Sequence, residues 1–149
     1  MKKFSIITLG CKVNQYESDA VSQQLEDLGW RLAGIKDLPD ACIVNTCTVT
    51  RKSSMQSRQA IRRIIRNHPQ ARIIVTGCYA QTEPDQIRQI PGVDAVIGHS
   101  DKHRIAEILS NGISNNSGQI LRQNLDGEKK YRQYPVVFGN RTRPFLKIQ

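Results

Sequence analysis

Three cysteines of this chain are placed where a metal or an iron–sulfur cluster could be bound. Cys11, Cys47 and Cys78 each lie just beyond a short apolar run that is typical of a buried strand. In an open parallel sheet the carboxyl ends of the strands share one edge, so the three thiols could converge on one site. Soft sulfur ligands favour zinc or an iron–sulfur cluster over magnesium or calcium. The alternative is that cysteine merely fits three tight strand-to-helix turns, and the spacing alone leaves both interpretations open.

The fourth ligand of such a site is not evident from the sequence. A closed structural zinc site normally uses four protein ligands, whereas a reactive site leaves one position open for an exogenous group. His68, His99 and His103 could complete a zinc site, and His99 is the nearest candidate because it follows the predicted strand that ends at Ile97. Cys42 lies inside the apolar run Ala41–Val44, where a buried structural thiol is the favoured interpretation.

The setting of the cysteines favours metal chemistry over disulfides. Two disulfides would need a secreted protein, yet the apolar run Phe4–Leu9 is shorter than the ~7–15 residues of a signal peptide's apolar region. No stretch approaches the ~18 apolar residues of a membrane span, so we expect a soluble, cytoplasmic protein. The chain contains no C-x-x-C, P-loop or G-x-G-x-x-G pattern, which disfavours a redox disulfide and a nucleotide site.

The elements that must position these residues alternate between strands and helices. Asn14 and Glu17 fit a capping box at the start of the first helix, and Gly29 fits its end. This alternation predicts an α/β fold, in which helices cover both faces of an open, mostly parallel sheet of the Rossmann-like or flavodoxin-like kind. The predicted strands are Phe4–Leu9, Trp30–Ala33, Ala41–Val44, Ile73–Val75 and Val93–Ile97, and the later helices are Arg51–Asn67, about Thr82–Ile90 and about Asp101–Leu109.

The sequence changes character after Gly112. Ser114–Gly118 is typical of a linker, and the remainder shows little periodicity until an alternating run at Phe145–Gln149. We therefore expect one compact domain over residues 1–112. Residues 113–149 are expected to form a linker and the first strand of a further domain.

Positive charge is the second feature that suggests a function. The chain has 22 Lys and Arg against 13 Asp and Glu, which favours a polyanionic partner. Arg58, Arg62 and Arg66 share an i, i+4 row on the second helix, where they could contact RNA phosphates. The alternative is an ordinary solvated face. The inner face of the same helix is predicted to carry Met55, Ile61, Ile64 and Ile65.

Three motifs make the chain recognisable. TLGCKVNQYES (Thr8–Ser18), NTCTVT (Asn45–Thr50) and GCYAQ (Gly77–Gln81) resemble the methylthiotransferase family in order and spacing, and RTRPFLKIQ (Arg141–Gln149) resembles the family's approach to its radical-SAM barrel. The resemblance covers nearly the whole chain. It implies that Cys11, Cys47 and Cys78 bind an auxiliary four-iron, four-sulfur (4Fe–4S) cluster, in which one iron stays free to bind the sulfur that is transferred.

The resemblance also implies a reaction. The family inserts a methylthio group at C2 of a modified adenosine next to the anticodon of tRNA, and S-adenosylmethionine supplies both the methyl group and, at a second 4Fe–4S cluster, a radical. The motif variants look most like those of the enzymes for N6-threonylcarbamoyladenosine. The isopentenyladenosine enzymes, the ribosomal-protein enzyme and a non-catalytic basic α/β module that binds RNA or a structural metal are the alternatives.

The family pattern extends beyond these residues. The chain ends before the C-x-x-x-C-x-x-C motif of the radical-SAM domain and before the C-terminal RNA-binding domain. We therefore expect no catalytic residue within these residues and no turnover by them alone. The expected partners are the anticodon stem-loop of tRNA and the radical-SAM and RNA-binding domains of the same protein.

Overall fold

A six-stranded parallel sheet organises the residues that the computed structural model describes, which are 2–48, 50–111 and 119–121. The strand order is β2-β1-β3-β4-β5-β6, and every neighbouring pair is parallel. The predicted α/β class is confirmed. The strands are β1 Lys3–Thr8, β2 Arg31–Leu32, β3 Ala41–Thr46, β4 Arg72–Gly77, β5 Ala95–Ile97 and β6 Gln119–Leu121.

Helices cover both faces of the sheet. On one face Val21, Leu25 and Leu109 pack on a core with Phe4 and Ile43. On the other face Ile61 and Ile87 pack against Val44 and Val75. The helices are α1 Lys12–Asp27, α2 Arg51–Asn67, α3 Cys78–Thr82, α4 Pro84–Arg88 and α5 Ile105–Asn111, and a 3₁₀ helix, His99–Arg104, precedes α5.

The strand order reverses between β1 and β3, which makes this pair the topological switch point of a flavodoxin-like sheet. Helices that leave neighbouring strands at a switch point depart on opposite faces, and a crevice opens between them at the carboxyl ends of the strands. Here α1 leaves β1 toward one face, and α2 leaves β3 toward the other. The fold therefore places a crevice between the turns that follow β1 and β3.

β6 was not predicted from the sequence. It pairs with β5 in parallel and lies beyond Gly112, so the sheet of the described residues extends past the position where the domain was expected to end. The other expectations for residues 113–149, including the strand at Phe145–Gln149, lie outside the described residues.

Two predicted helix starts are wrong. α1 begins at Lys12 with Cys11 as its N-cap residue, and Asn14 and Glu17 are buried inside the helix rather than capping it. The helix predicted over about Thr82–Ile90 is present as α4, but its N-cap residue is Glu83 rather than Thr82, because Thr82 is the last residue of α3. The Thr82 hydroxyl donates backward to the Cys78 carbonyl oxygen at 3.1 Å, so it lies at the end of a short helix.

The predicted inner face of α2 is correct except at one turn. Ile61 and Ile64 are buried, but Met55 is half exposed. Ser57 occupies the buried position instead and is fully shielded from solvent. A hydroxyl is stable there because it exchanges two hydrogen bonds with the backbone of Cys47.

The backbone crosses very closely at Gly77, the last residue of β4. Its φ is +98°, and a Cβ at this position would lie 2.3 Å from the Thr46 carbonyl oxygen. Gly29, at the end of α1, has a similar φ of +86° but has no atom of the described residues within 4 Å of its Cβ position. A comparison of substitutions at the two glycines therefore distinguishes the cost of a left-handed backbone from the cost of steric overlap.

We predict that Gly77→Ala lowers the free energy of unfolding by roughly 2–5 kcal/mol, which combines about 1–2 for left-handed backbone with about 1–3 for overpacking. Gly29→Ala, the matched control, should cost only about 1–2 kcal/mol. Chemical denaturation of both variants measures the difference. Equal losses of stability would show that Gly77 is not in steric contact with β3.

Candidate metal centre

Three cysteines follow three adjacent strands at the carboxyl edge of the sheet. Cys11 follows β1, Cys47 directly follows β3, and Cys78 directly follows β4. The strand ends are level, because Thr8 of β1 pairs with Asn45 of β3 and Asn45 pairs in turn with the end of β4. The structure therefore brings the predicted site residues to one edge, around the switch point.

The turns that carry Cys11 and Cys47 are in direct contact. Gly10 has a φ of +95°, and a Cβ at this position would lie 2.7 Å from Cys47 Cβ and 2.9 Å from Cys47 Sγ. Only glycine lets the backbone beside Cys11 approach the second thiol this closely. In the G-C pair of the first motif, packing therefore requires the glycine, and the cysteine supplies the thiol.

Exposure differs among the three thiols. Cys47 is buried, Cys78 is partly buried and Cys11 is exposed. Burial raises the pKa of the Cys78 thiol, the charge of Lys102 lowers it, and the neighbouring thiols of Cys47 and Cys11 raise it. Cys47 and Cys11 are thus close enough to Cys78 for their charges to act on its thiol. The site has a closed side at Cys47 and an open side at Cys11.

Ser57 of α2 fixes the backbone of Cys47. Its hydroxyl donates to the Cys47 carbonyl oxygen at 2.9 Å and accepts from the Cys47 amide at 3.3 Å. Thr50 then begins α2 by accepting a hydrogen bond from the Ser53 amide at 3.0 Å. The loop between β3 and α2 is held at both ends, which fixes the position of the buried thiol.

Two buried asparagines tie the turns together. Asn14 Nδ2 donates to the carbonyl oxygens of Leu9 and Thr46 at 2.9 and 3.0 Å. Asn45 Nδ2 donates to the Asn14 carbonyl oxygen and to Ser18 Oγ, both at 3.0 Å. These bonds fix the turn after β1 against the end of β3. The sequence offered one signal for Asn45, which is a polar residue that ends an apolar strand.

An ion pair is buried beside these asparagines. Lys102, in the 3₁₀ helix, bonds to the Glu17 carboxylate, and their side chains are only 1% and 7% exposed. Lys102 Nζ also lies 3.4 Å from Asn45 Oδ1. Sequence reasoning missed this pair because Glu17 fitted a helix cap and Lys102 lies in the polar run Asp101–Arg104.

The donors at this edge of the sheet are three thiols, which are soft ligands of the kind that iron–sulfur clusters use. Within the described ranges, no three His, Cys, Asp or Glu side chains are arranged to hold one metal ion. The three thiolates of a 4Fe–4S cluster bind three different irons, so the sulfurs need not converge on one point. His68 lies at the far end of α2 from Cys47, and the His99 side chain is outside the described residues. Three soft donors around a crevice are the ligands that a cluster with one open iron requires.

Cys42 is separate from this site. It is fully buried in β3, and its core includes Val44, Ile61 and Ile73. Burial raises the pKa of its thiol to about 11. A protonated thiol in an apolar core is the structural role predicted for it.

The predicted arginine row lies beside a groove. Arg62 and Arg66 are exposed, and Arg58 is partly buried. Together with Arg63, Arg62 and Arg66 line a groove of about 810 Å³ between α2 and β1. The floor of the groove follows β1 and includes Leu9, two residues before Cys11. The groove therefore extends from a basic helix face toward the open side of the cysteine site.

Fold and site together define a flavodoxin-like domain with a three-cysteine site at its switch point. The chain belongs to the uncharacterized protein family UPF0004, whose model matches residues 3–98. The resemblance to methylthiotransferases seen in the three motifs is confirmed by the relatives of this chain. Within the described ranges, no helix combines the length and the apolar character that crossing a bilayer requires.

The relatives are named as tRNA-modifying enzymes. The threonylcarbamoyladenosine tRNA methylthiotransferase MtaB of Bacillus subtilis is 40% identical over 95% of this chain and 32% of its own length. MtaB of Aquifex aeolicus is 33% identical over 99% of this chain and 36% of its own length. The tRNA-2-methylthio-N(6)-dimethylallyladenosine synthase of Neorickettsia sennetsu is 31% identical over 100% of this chain and 33% of its own length. The chain thus spans about a third of the length of these relatives.

We predict that Lys102→Met destabilises the chain by about 3–5 kcal/mol, because it removes the cation that bonds to the buried Glu17 carboxylate. The double variant Lys102→Met/Glu17→Gln should lose much less, since both charges of the buried pair are then removed. Urea denaturation of the wild type and both variants measures the difference. A double variant as unstable as the single one would show that the pair contributes packing rather than charge neutralisation.

Proposed function

We propose that this chain is the auxiliary-cluster domain of a tRNA methylthiotransferase. The observation that carries the proposal is the placement of Cys11, Cys47 and Cys78 around the switch point, with one side open. The reaction is insertion of a methylthio group at C2 of N6-threonylcarbamoyladenosine next to the anticodon. The MtaB names of relatives at 33–40% identity support this choice of nucleoside.

Each residue of the site has a distinct role in this proposal. Cys11, Cys47 and Cys78 hold a 4Fe–4S cluster, which supplies an iron without a protein ligand where a sulfur group can bind. Ser57 keeps Cys47 fixed at the closed side, so that thiol anchors the cluster away from solvent. The exposed Cys11 leaves its side accessible to the nucleoside. Gly10 allows these two thiols to serve one cluster.

The remaining chemistry belongs to the rest of the protein. A second 4Fe–4S cluster and S-adenosylmethionine lie, in our proposal, in a radical-SAM domain that residues 113–149 lead toward. C2 of adenosine is an unactivated position, so removing its hydrogen requires a radical that a cofactor must generate. Free thiols at all four cysteines agree with a reducing compartment, and we place the protein in the cytoplasm with its tRNA substrate.

The basic groove supports tRNA as the partner. Arg62, Arg63 and Arg66 concentrate positive charge along one side of the groove, and its floor leads to the turn before Cys11. Phosphates of an anticodon stem-loop bound there would direct the loop toward the open side of the site. Arg58 extends the same row by one helical turn.

The isopentenyladenosine reaction is the second candidate. It is favoured by relatives named tRNA-2-methylthio-N(6)-dimethylallyladenosine synthase, which are 30–32% identical to this chain. The two candidates share the cysteine site and differ only in the N6 substituent of the adenosine. Assays of the complete protein on tRNAs that carry one or the other modification distinguish them.

We predict that the 149-residue chain, reconstituted anaerobically, binds about four irons and four sulfides through Cys11, Cys47 and Cys78. Replacement of any of these by Ala should reduce cluster content, because each thiolate binds a different iron. Cys42→Ala is the matched control and should bind as much iron as the wild type. Iron and sulfide analysis and the visible absorption of the cluster provide the measurement. Loss of iron in Cys42→Ala combined with retention in Cys11→Ala would refute the assignment.

A further prediction concerns the arginine row. Changing Arg58, Arg62 and Arg66 together to Glu should weaken tRNA binding by the complete protein. It should also make the binding less dependent on salt, because fewer phosphates are then neutralised and fewer counterions are released. Filter binding over a range of salt concentrations measures both effects. Lys36→Glu, an exposed change outside the groove, is the control. Unaltered affinity and salt slope in the triple variant would assign tRNA binding to another surface.

A further inference from the structure

Lys102 is a buried cation whose location the proposed reaction does not explain. Its side chain is 1% exposed, and an ammonium loses several kcal/mol of hydration when it is buried. A neutral apolar residue at this position would avoid that cost. The burial is compensated by Glu17 and by the oxygen of Asn45. A charge kept at this cost next to a functional site indicates an electrostatic role.

The Asn45 side chain lies between Lys102 and the loops that carry Cys47 and Cys78. Its Nζ is 3.4 Å from Asn45 Oδ1, and the same oxygen is 2.6 Å from the Cβ position of Gly77. Gly77 directly precedes Cys78, and Asn45 lies two residues before Cys47. The 3₁₀ helix that carries Lys102 also packs against α3, which begins at Cys78. The ammonium is therefore fixed beside the loops that carry Cys47 and Cys78.

The ammonium end of the ion pair faces the end of β3, because Lys102 Nζ lies 3.4 Å from Asn45 Oδ1. The pair is neutral as a whole but acts on the site as a dipole. Because both partners are buried, solvent and salt screen this dipole weakly.

We propose that Lys102 is a positioning residue that directs a fixed positive charge at the cluster held by Cys11, Cys47 and Cys78. The inference rests on the proposed function, because it assumes a cluster at this site. Three thiolates concentrate negative charge, and reduction of the cluster adds more. A buried cation favours the more negative state, so Lys102 raises the reduction potential of the cluster. Glu17 keeps the lysine charged, and Asn45 holds it toward the loop of Cys78.

The test is a redox titration of the 149-residue chain after anaerobic reconstitution. Two neutral variants are compared with the wild type: Lys102→Met/Glu17→Gln, which replaces the lysine by an apolar side chain, and Lys102→Gln/Glu17→Gln, which keeps a hydrogen-bond donor for Asn45. Both should bind as much iron as the wild type and show a more negative midpoint potential. Lys102→Arg keeps the charge and should stay near the wild-type potential. Lys36→Met removes an exposed charge at the other edge of the sheet and is the control.

The outcomes separate this inference from the proposed function. A wild-type potential in either neutral variant that is folded and fully loaded with iron would overturn the role of Lys102 and leave the cluster assignment intact. Equal negative shifts in the neutral variants and in Lys102→Arg would also overturn it, because packing and not charge would then be responsible. A wild-type chain that binds no cluster would refute both the proposed function and this inference.

Discussion

The hydrogen bonds of Asn45 are the interaction on which the site depends. This residue lies at the end of the central strand β3, where its amide nitrogen binds the α1 side of the switch point. Its oxygen faces Lys102 on one side and the Gly77 backbone on the other. The Asn45 side chain thus links α1, the end of β3 and the residue that precedes α3. Together with the bonds of Asn14, these bonds hold the turns that carry the thiols against one another.

Close backbone approach is the second constraint, and it explains two residues of the motifs. Gly10 and Gly77 both have positive φ, and each lies against β3 or the residue that follows it. A side chain at either position would push a cysteine-bearing turn away from the central strand. The G-C pairs therefore serve two purposes, since the glycine brings the turns together and the cysteine supplies the thiol. The exposure gradient from Cys47 to Cys11 follows from the same packing.

The features of the fold that depend on local residue patterns could be predicted from the sequence. Apolar runs located the strands, and their order along the chain placed three cysteines at one edge and left Cys42 inside the core. The Asn14 and Glu17 pattern was misread as a cap, because a capping box and a buried network use the same residue types. The partner of Glu17 lies 85 positions away, and no local periodicity reveals such a contact. Met55 was predicted to be buried, but Ser57 is buried in its place. The reason is similar, since the polar partner of Ser57 is the backbone of Cys47, outside its own helix.

The central claim is that three cysteines bind a cluster and leave one iron open for a sulfur group. Mössbauer spectroscopy of the wild-type chain, reconstituted with labelled iron, tests it most directly. The account predicts one iron environment that is distinct from the other three and that changes when methanethiol is added, while the others do not. Four equivalent irons, a smaller cluster, or a spectrum unaffected by the thiol would contradict it.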